Sequence, residues 1–349
     1  MEFLKEYKKE IKNEYATIAK DGIIAGDIHG FTDSGSYWLN ALLSGSIYGG
    51  YPNSKITMLA SESGVGKTFL IIAAIKLFLD DNPDGAIFLF ESESALTKNF
   101  LVEQGIDVSR VLVIPVITIE QCRHQALIIL QRYIDSKEKR PIMFALDSLG
   151  MLSTNKEVED TLAGSDTKDM TRTQLIKAMF RVVTLKLGRA QLPFLITNHT
   201  YASMSLYGGN VVSGGTGPKY SSSSILEMTK RKIMDGKDKT GNIVTCKNTK
   251  GRLTREGAKA EVLIDFINGL SRWHGMVEAA VSAGVWEKTG NRVLVNGTKL
   301  YAKSIYKNPE RYFNKEILDK IDVHLGTLYK YGSALEDFDK EILCEEEEV

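Results

Sequence analysis

Cysteine is scarce in this chain: three in 349 residues, at Cys122, Cys246 and Cys344. They are odd in number and far apart, so neither a disulfide framework nor a zinc cluster follows. No apolar run is long enough to cross a bilayer. Met1 opens onto Glu2-Phe3-Leu4-Lys5-Glu6, which lacks the apolar centre of a secretory signal. The expectation is a reduced, cytoplasmic protein with no membrane partner. No internal repeat stands out. What remains is an ordinary globular composition, 43% hydrophobic and 25% charged, in a chain long enough for one large domain and a smaller one.

Net charge is absent too, since 44 basic residues balance 44 acidic ones, but the balance is uneven along the chain. Between Glu336 and Val349, eight acids (Glu336, Asp337, Asp339, Glu341 and Glu345 to Glu348) face one base, Lys340. The rest of the chain therefore carries a positive excess. A basic body with an acidic end suggests a polyanion partner and a tail that competes with it. The plain alternative is a solubilising tail.

The strongest local signal is Ser61-Glu62-Ser63-Gly64-Val65-Gly66-Lys67-Thr68, set between the apolar run Ile56–Ala60 and the apolar stretch Phe69–Leu79. A strand, a small-residue loop ending Gly-Lys-Thr and a helix form a phosphate-binding P-loop. Glycines let backbone N–H groups close around phosphates, and the positive end of the helix dipole faces the anion. Lys67 would reach the β- and γ-phosphates and the Thr68 hydroxyl would ligate Mg²⁺. Ser61 stands where the usual pattern has its first glycine, at a position that needs only a tight turn.

Around this motif the periodicity predicts an amphipathic helix over residues 2–19, a Gly/Asp-rich linker to Ser36 and a short helix at Tyr37–Leu43. Strands at Ala86–Phe90, Val111–Ile117, Ile142–Leu146 and Phe194–Thr197 alternate with helices at Leu96–Gln104, Ile119–Ser136 and residues 169–187. That alternation indicates an α/β core with a mostly parallel sheet flanked by helices. Strands at Ile225–Thr229, Ile243–Cys246 and Ala260–Phe266 are expected to extend the sheet in antiparallel fashion. A compact helical segment is expected from Gly275 to about Leu328.

The strand Ile142–Leu146 ends in Asp147, which places a carboxylate beside the P-loop, where it can hold Mg²⁺. Hydrolysis also needs a group that orients or deprotonates water. Glu91 and Glu93 both follow the neighbouring strand end, and spacing alone does not separate them. A helix start favoured by its dipole would also explain glutamates there.

Five segments carry a resemblance over most of the chain: Glu93-Ser94-Ala95-Leu96, Leu146-Asp147-Ser148-Leu149, Asp169-Met170-Thr171-Arg172, Thr197-Asn198-His199-Thr200-Tyr201 and Gly214-Gly215-Thr216-Gly217-Pro218. They resemble the motifs of RecA-type recombinases, in particular the phage UvsX branch, and they occur in that family's order. The resemblance implies a RecA-like P-loop ATPase core and selects Glu93 over Glu91 as catalytic base. It implies Phe100 stacked on adenine and Phe266 covering the base from the other side. His199 would sense the γ-phosphate, where bacterial relatives carry Gln. Lys247 and Lys250 would reach a neighbour's ATP. One DNA-gripping loop would fall between Ser153 and Thr167, before the helix carrying Arg172, whose guanidinium would meet a phosphate. The other would span His199 to Gly217, with Gly208, Gly209, Gly214, Gly215 and Thr216 on the DNA and Met204 or Leu206 wedged between bases.

The implied organisation is an N-terminal oligomerisation segment and linker (1–36), an ATPase core with DNA loops (37–271), a small C-terminal α/β lobe (272–332) and an acidic tail (333–349). The segment Tyr15–Ala19 would dock on an adjacent subunit, although packing within one subunit explains its apolar positions equally well. Lys299, Lys303, Lys307 and Arg311 would face duplex DNA, or form a solvated face. The implied activity is DNA-dependent hydrolysis of ATP with Mg²⁺, coupled to strand exchange by a filament on single-stranded DNA. Its partners would be single-stranded DNA, homologous duplex, further copies of the chain, a mediator and a single-strand-binding protein, in a phage-infected host cytoplasm. Two rivals share the core: a ring-forming, hexameric helicase-like ATPase, and a non-catalytic nucleotide-dependent mediator.

Overall fold

In the computed structural model, residues 2–13, 15–165, 170–202, 210–236 and 238–332 are described. Asp169, Met204, Leu206, Gly208, Gly209 and the acidic tail lie outside them. The chain divides into two compact units, Met1–Thr32 with Tyr51–Thr229, and Asp33–Gly50 with Lys230–Val349. This differs from the expected boundaries at residues 36 and 271. The cause lies in the helix Tyr37–Ser44, whose Leu39, Ala41, Leu42 and Leu43 are all fully buried. Thr254 Oγ1 donates to the Leu42 carbonyl at 2.6 Å, so this early helix completes the later unit.

The first unit is built on parallel strands in the order Val111–Pro115, Ala86–Glu91, Ile142–Asp147, Phe194–Ala202, Ile56–Ser61 and Ser224–Asp235, the last leaving the unit after Thr229. Ile56–Ser61 and Ile142–Asp147 are buried at every position, as expected of parallel strands covered on both faces. Phe90, Phe144 and Phe194 meet across the sheet with ring centroids 5.8 to 6.5 Å apart. The helices Lys67–Asp81, Ile119–Asp135 and Arg172–Ala190 flank the sheet, each burying an apolar stripe. Register carries the functional consequence. Glu91 pairs with Asp147 and Ser61 with His199, so the strands' C-terminal ends align along one edge.

Several expectations change. Ile225–Thr229 was expected to be antiparallel, but Ser224 to Glu227 run parallel to Thr57 to Ala60. The pairing of Asp238–Gly251 with Lys259–Asp265 is antiparallel, as expected. The N-terminal helix stops at Ile11, followed by Lys12 at φ 51°, and buries no residue, so Phe3, Leu4, Tyr7 and Ile11 stay exposed. In the Tyr15–Ala19 segment, Tyr15 to Ile18 are half-buried and Ala19 is exposed, with the Arg189 guanidinium 3.9 Å from the Tyr15 ring centroid. The expected first loop contains a helix, Asn155–Leu162, whose Thr154 side chain accepts from the Glu157 N–H. Thr154-Asn155-Lys156-Glu157 has the spacing of a helix-start cap, a local signal for helix where the resemblance implied a loop. The expected second loop begins as strand, since Phe194–Ala202 pairs antiparallel with Asn210–Val212, and ends in the helix Thr216–Ser221.

The second unit combines the antiparallel strands with helices Met276–Ser282, Ala302–Lys307 and Lys315–Tyr329. The stretch after Gly275 was expected to be helical, yet it holds a three-stranded antiparallel sheet, Glu287–Thr289, Arg292–Val295 and Thr298–Leu300. Asn296 and Gly297 have φ of 47° and 79°, the Asn-Gly hairpin turn that directs the chain back on itself. Trp273, Phe313 and Trp286 form its aromatic centre, with centroids 5.3 and 4.8 Å apart. Gly275, at φ +85°, leaves room for Trp38, and a Cβ there would lie 1.6 Å from Trp38 Cε3. We expect Gly275→Ala to destabilise the protein by about 1–3 kcal/mol or more. Denaturation followed by near-ultraviolet circular dichroism checks this, and an unchanged midpoint would remove the Trp38 contact as the reason for glycine.

Candidate active site

The P-loop joins the strand Ile56–Ser61 to the helix Lys67–Asp81, and Gly64 and Gly66 take φ of 69° and 124°, where L-residues are strained. Lys67 is only 6% exposed, and its ammonium donates to the Ser61 carbonyl at 3.1 Å, Ser61 Oγ at 3.2 Å and the Glu62 carbonyl at 2.9 Å. Burial lowers the Lys67 pKa, with Glu93 and Asp147 pulling it back up. Thr68 Oγ1 donates to Asp147 Oδ2 at 2.7 Å, and Thr197 Oγ1 donates to Asp147 Oδ1. Burial pushes the Asp147 carboxyl up; the Thr197 and Thr68 hydrogen bonds oppose that shift. A hydroxyl and a carboxylate in contact at the mouth of a helix N-terminus suit a hard cation bound with a polyphosphate. The residues present therefore fit Mg²⁺ and a nucleoside triphosphate.

The two glutamates separate clearly. Glu91 is buried, and its Oε1 accepts from the backbone N–H groups of Glu93 at 3.1 Å and Ala95 at 3.0 Å, which shapes the turn. Glu93 Oε1 accepts the Ser148 hydroxyl at 2.6 Å and lies 2.9 Å from His199 Nε2. Burial acts to raise the Glu93 pKa, but the Ser148 and His199 hydrogen bonds and the nearby charges outweigh it and hold the carboxyl below its usual range. Ser92 Oγ donates to the Ser148 carbonyl and accepts from the Ser148 N–H, both at 2.8 Å, tying the two strand ends together.

From His199 the contacts continue along its strand. The His199 carbonyl accepts from the Ser213 N–H at 2.9 Å, and Asn198 Nδ2 donates to the Ser213 carbonyl at 2.8 Å. The pair bearing Glu93 is thus joined to the stretch entering Gly214 and Gly215.

With this geometry in place, comparison with known proteins is decisive. The RecA N-terminal domain profile matches residues 12–271. The chain belongs to the RecA family. It is 32% identical over 254 residues to the recombination and repair protein of Enterobacteria phage T4, covering 72% of this chain and 64% of the phage protein. It is 26% identical to the protein RecA of Bacteroides thetaiotaomicron, covering 76% of this chain and 78% of that one. The protein RecA of Clavibacter michiganensis is also 26% identical, covering 83% and 79%. The chain thus spans about two thirds, 64%, of the T4 protein's length.

Within this RecA-family unit, Ser61 and Asp147 end their strands, Glu62, Ser63, Gly64, Val65 and Gly66 form the loop, Lys67 and Thr68 start the helix Lys67–Asp81, Glu93 follows the strand Ala86–Glu91, and His199 lies within the strand Phe194–Ala202. Phe100 is half-buried on the helix Lys98–Glu103. Phe266, Lys247 and Lys250 belong to the second unit. Phe266 is 55% exposed, with Lys239 Nζ 4.8 Å from its ring centroid, and Lys247 is exposed on the strand Asp238–Gly251. The Arg172 guanidinium, expected at a phosphate, donates instead to the carbonyls of Leu152, Gly150 and Leu149. Gly214, Gly215 and Gly217, at the end of the expected second loop, each bring backbone against the helix Arg172–Ala190. Cβ atoms there would lie 3.1 Å from Ile176, 2.7 Å from Thr173 and 2.9 Å from Lys177 respectively. Thr216 begins the short helix that follows.

The sequence reading missed Ser92, Ser148 and Thr197, which hold the two carboxylates. Hydroxyl residues at the ends of apolar strands were the available signal. It also missed a groove lined by Gln174, Lys177, Arg181 and Tyr220, whose three helix residues recur at a spacing that places them on one face. Because the folded Glu93 pKa lies below its unfolded value, its contribution to stability is present above the unfolded pKa and is lost as pH falls through the folded one. Glu93→Gln should therefore lose less stability than the native protein as pH falls through and below the ordinary carboxylate range. Parallel acid denaturation of both proteins checks this, and superimposable curves would contradict it.

Proposed function

We propose that the protein is an ATP-driven DNA recombinase, which assembles on single-stranded DNA and exchanges it with a homologous duplex. The observation that carries the reading is the series from Lys67 and Thr68 to Asp147, and from its chain neighbour Ser148 through Glu93 and His199 to Ser213, within the span expected to hold DNA. Bound Mg²⁺ and ATP supply the scissile phosphoanhydride and the charge that orders the loops around it. Lys67 would exchange its carbonyl partners for phosphate oxygens, while Thr68 and Asp147 would hold the cation. Glu93 would orient the attacking water through the oxygen left free of Ser148 and His199. His199 shares the Glu93 oxygen and holds Ser213 through its backbone, so a shift at one end is felt at the other. Only differential affinity for the two arrangements does work.

Self-assembly is supported by two exposed features of the first unit. Val111–Pro115 is the border strand of its sheet, with Leu112 55% and Val113 40% exposed, and an uncovered border strand invites pairing. The apolar stripe of Glu2–Ile11 is likewise uncovered. Lys177 and Arg181 beside the second DNA span, and Lys299, Lys303 and Lys307 in the second unit, suit phosphate contacts that read no sequence. We also assign Phe100 and Phe266 to the adenine, Lys247 and Lys250 to a neighbour's nucleotide, and the spans around residues 153–167 and 199–217 to DNA. A mediator and a single-strand-binding protein would assist. Among the described residues no helix is long and apolar enough to cross a membrane, in keeping with action in the cytoplasm.

Electron microscopy with single-stranded DNA and a slowly hydrolysed ATP analogue tests the reading: continuous helical filaments are expected, and closed rings would overturn it. Lys67→Ala should abolish nucleotide-dependent DNA binding in a filter or anisotropy assay, and retained binding would remove the P-loop from the mechanism. Glu93→Gln should keep the filaments and lose about 10²–10⁴-fold in turnover. An undiminished rate would hand the role to another group.

A further inference from the structure

We infer that Arg172 is a positioning residue, clamping the turn after Asp147 against His199 and so setting Glu93 for hydrolysis. The inference rests on the reading of Glu93 as the hydrolytic group. Arg172 is the first residue of the helix Arg172–Ala190, whose N-cap Thr171 makes no side-chain capping bond. Its Nε donates to the Leu152 carbonyl at 2.9 Å, and Nη2 donates to the Gly150 carbonyl at 2.9 Å and the Leu149 carbonyl at 3.4 Å. All three carbonyls belong to the short 3₁₀ turn Leu149–Met151 and its exit.

That turn is fixed on its other sides. Leu149 and Leu152 are buried in the core. The Ser153 N–H donates to the Ile117 carbonyl at 2.9 Å, and the Ile119 N–H donates to the Ser153 carbonyl at 3.0 Å. Its carbonyl face is what Arg172 takes. On the site side, Gly150 touches the histidine: a Cβ there would lie 2.9 Å from His199 Cδ2 and 3.1 Å from Asn198 Oδ1. Ser148, immediately before the turn, donates to the same Glu93 oxygen that His199 meets. Of the two contacts that aim Glu93, Ser148 leads into a turn whose position Arg172 holds, and His199 packs against that turn.

The chemistry asks for arginine. A planar, permanently charged fork can serve several carbonyls from one fixed position, whereas an ammonium is a compact point donor on a flexible stem. The location gives the clamp a consequence. Arg172 follows the 153–167 span in sequence, so a ligand on that span that displaces the start of the helix would move the turn, and with it His199 and Glu93. This route is separate from the one through Ser213.

The test is Arg172→Lys in the full chain, with histidine-labelled protein followed by nuclear magnetic resonance and His199→Gln used to assign the signal. We expect the His199 ring resonance to move. Turnover should fall by roughly 2- to 30-fold. Single-stranded DNA affinity with a slowly hydrolysed analogue, and its salt dependence, should stay as in the native protein. A stationary His199 resonance overturns the clamp. So does lost DNA affinity with a salt slope reduced by about one phosphate contact, which would restore Arg172 as a DNA ligand. If native turnover proves indifferent to DNA, the recombinase reading fails, while the His199 resonance still decides the clamp.

Discussion

The parallel register between Ile56–Ser61, Phe194–Ala202, Ile142–Asp147 and Ala86–Glu91 is the constraint on which everything else depends. It places four strand ends in one row, so residues far apart in sequence arrive within hydrogen-bond reach. Thr68 finds Asp147 across 79 positions and His199 finds Glu93 across 106. A slip of one residue would turn each of these side chains to the opposite face. The buried aromatic contacts of Phe90, Phe144 and Phe194 make such a slip expensive by filling both strand neighbours at once.

Hydroxyl groups carry the local order. Ser92 holds the Ser148 backbone at two points, Ser148 holds Glu93, and Thr197 with Thr68 holds Asp147. Each carboxylate in the site therefore accepts from at least two donors, which keeps partly buried charge tolerable and its direction defined. The same arrangement distinguishes Glu91 from Glu93. The first accepts backbone N–H groups and shapes the turn, while the second meets the side chains of Ser148 and His199.

Much of this was legible in the residues. The P-loop, Asp147 at its strand end and the alternation of strands with helices follow from apolar periodicity and the Gly-Lys-Thr sequence, both local signals. What escaped was mostly non-local or masked by polar composition. The return of Tyr37–Ser44 to the later unit depends on contacts that no window of sequence contains. The helix Asn155–Leu162 and the hairpin at Asn296-Gly297 had local signals, a Thr-x-x-Glu cap and an Asn-Gly turn, which the expectation of loops and helices there overrode. Glycines 214, 215 and 217 illustrate a different limit. Glycine permits mobility and close approach alike, and only the neighbouring helix shows that close approach is what these three provide.

The account's central claim is that nucleotide bound at this strand edge lets the protein hold a single strand in a form that can be paired. The most direct measurement mixes the purified protein, Mg²⁺ and ATP with a single strand and a homologous duplex, and follows joint-molecule formation. The account predicts joint molecules that require both homology and nucleotide. Their absence under conditions where the protein demonstrably binds ATP and single-stranded DNA would contradict it.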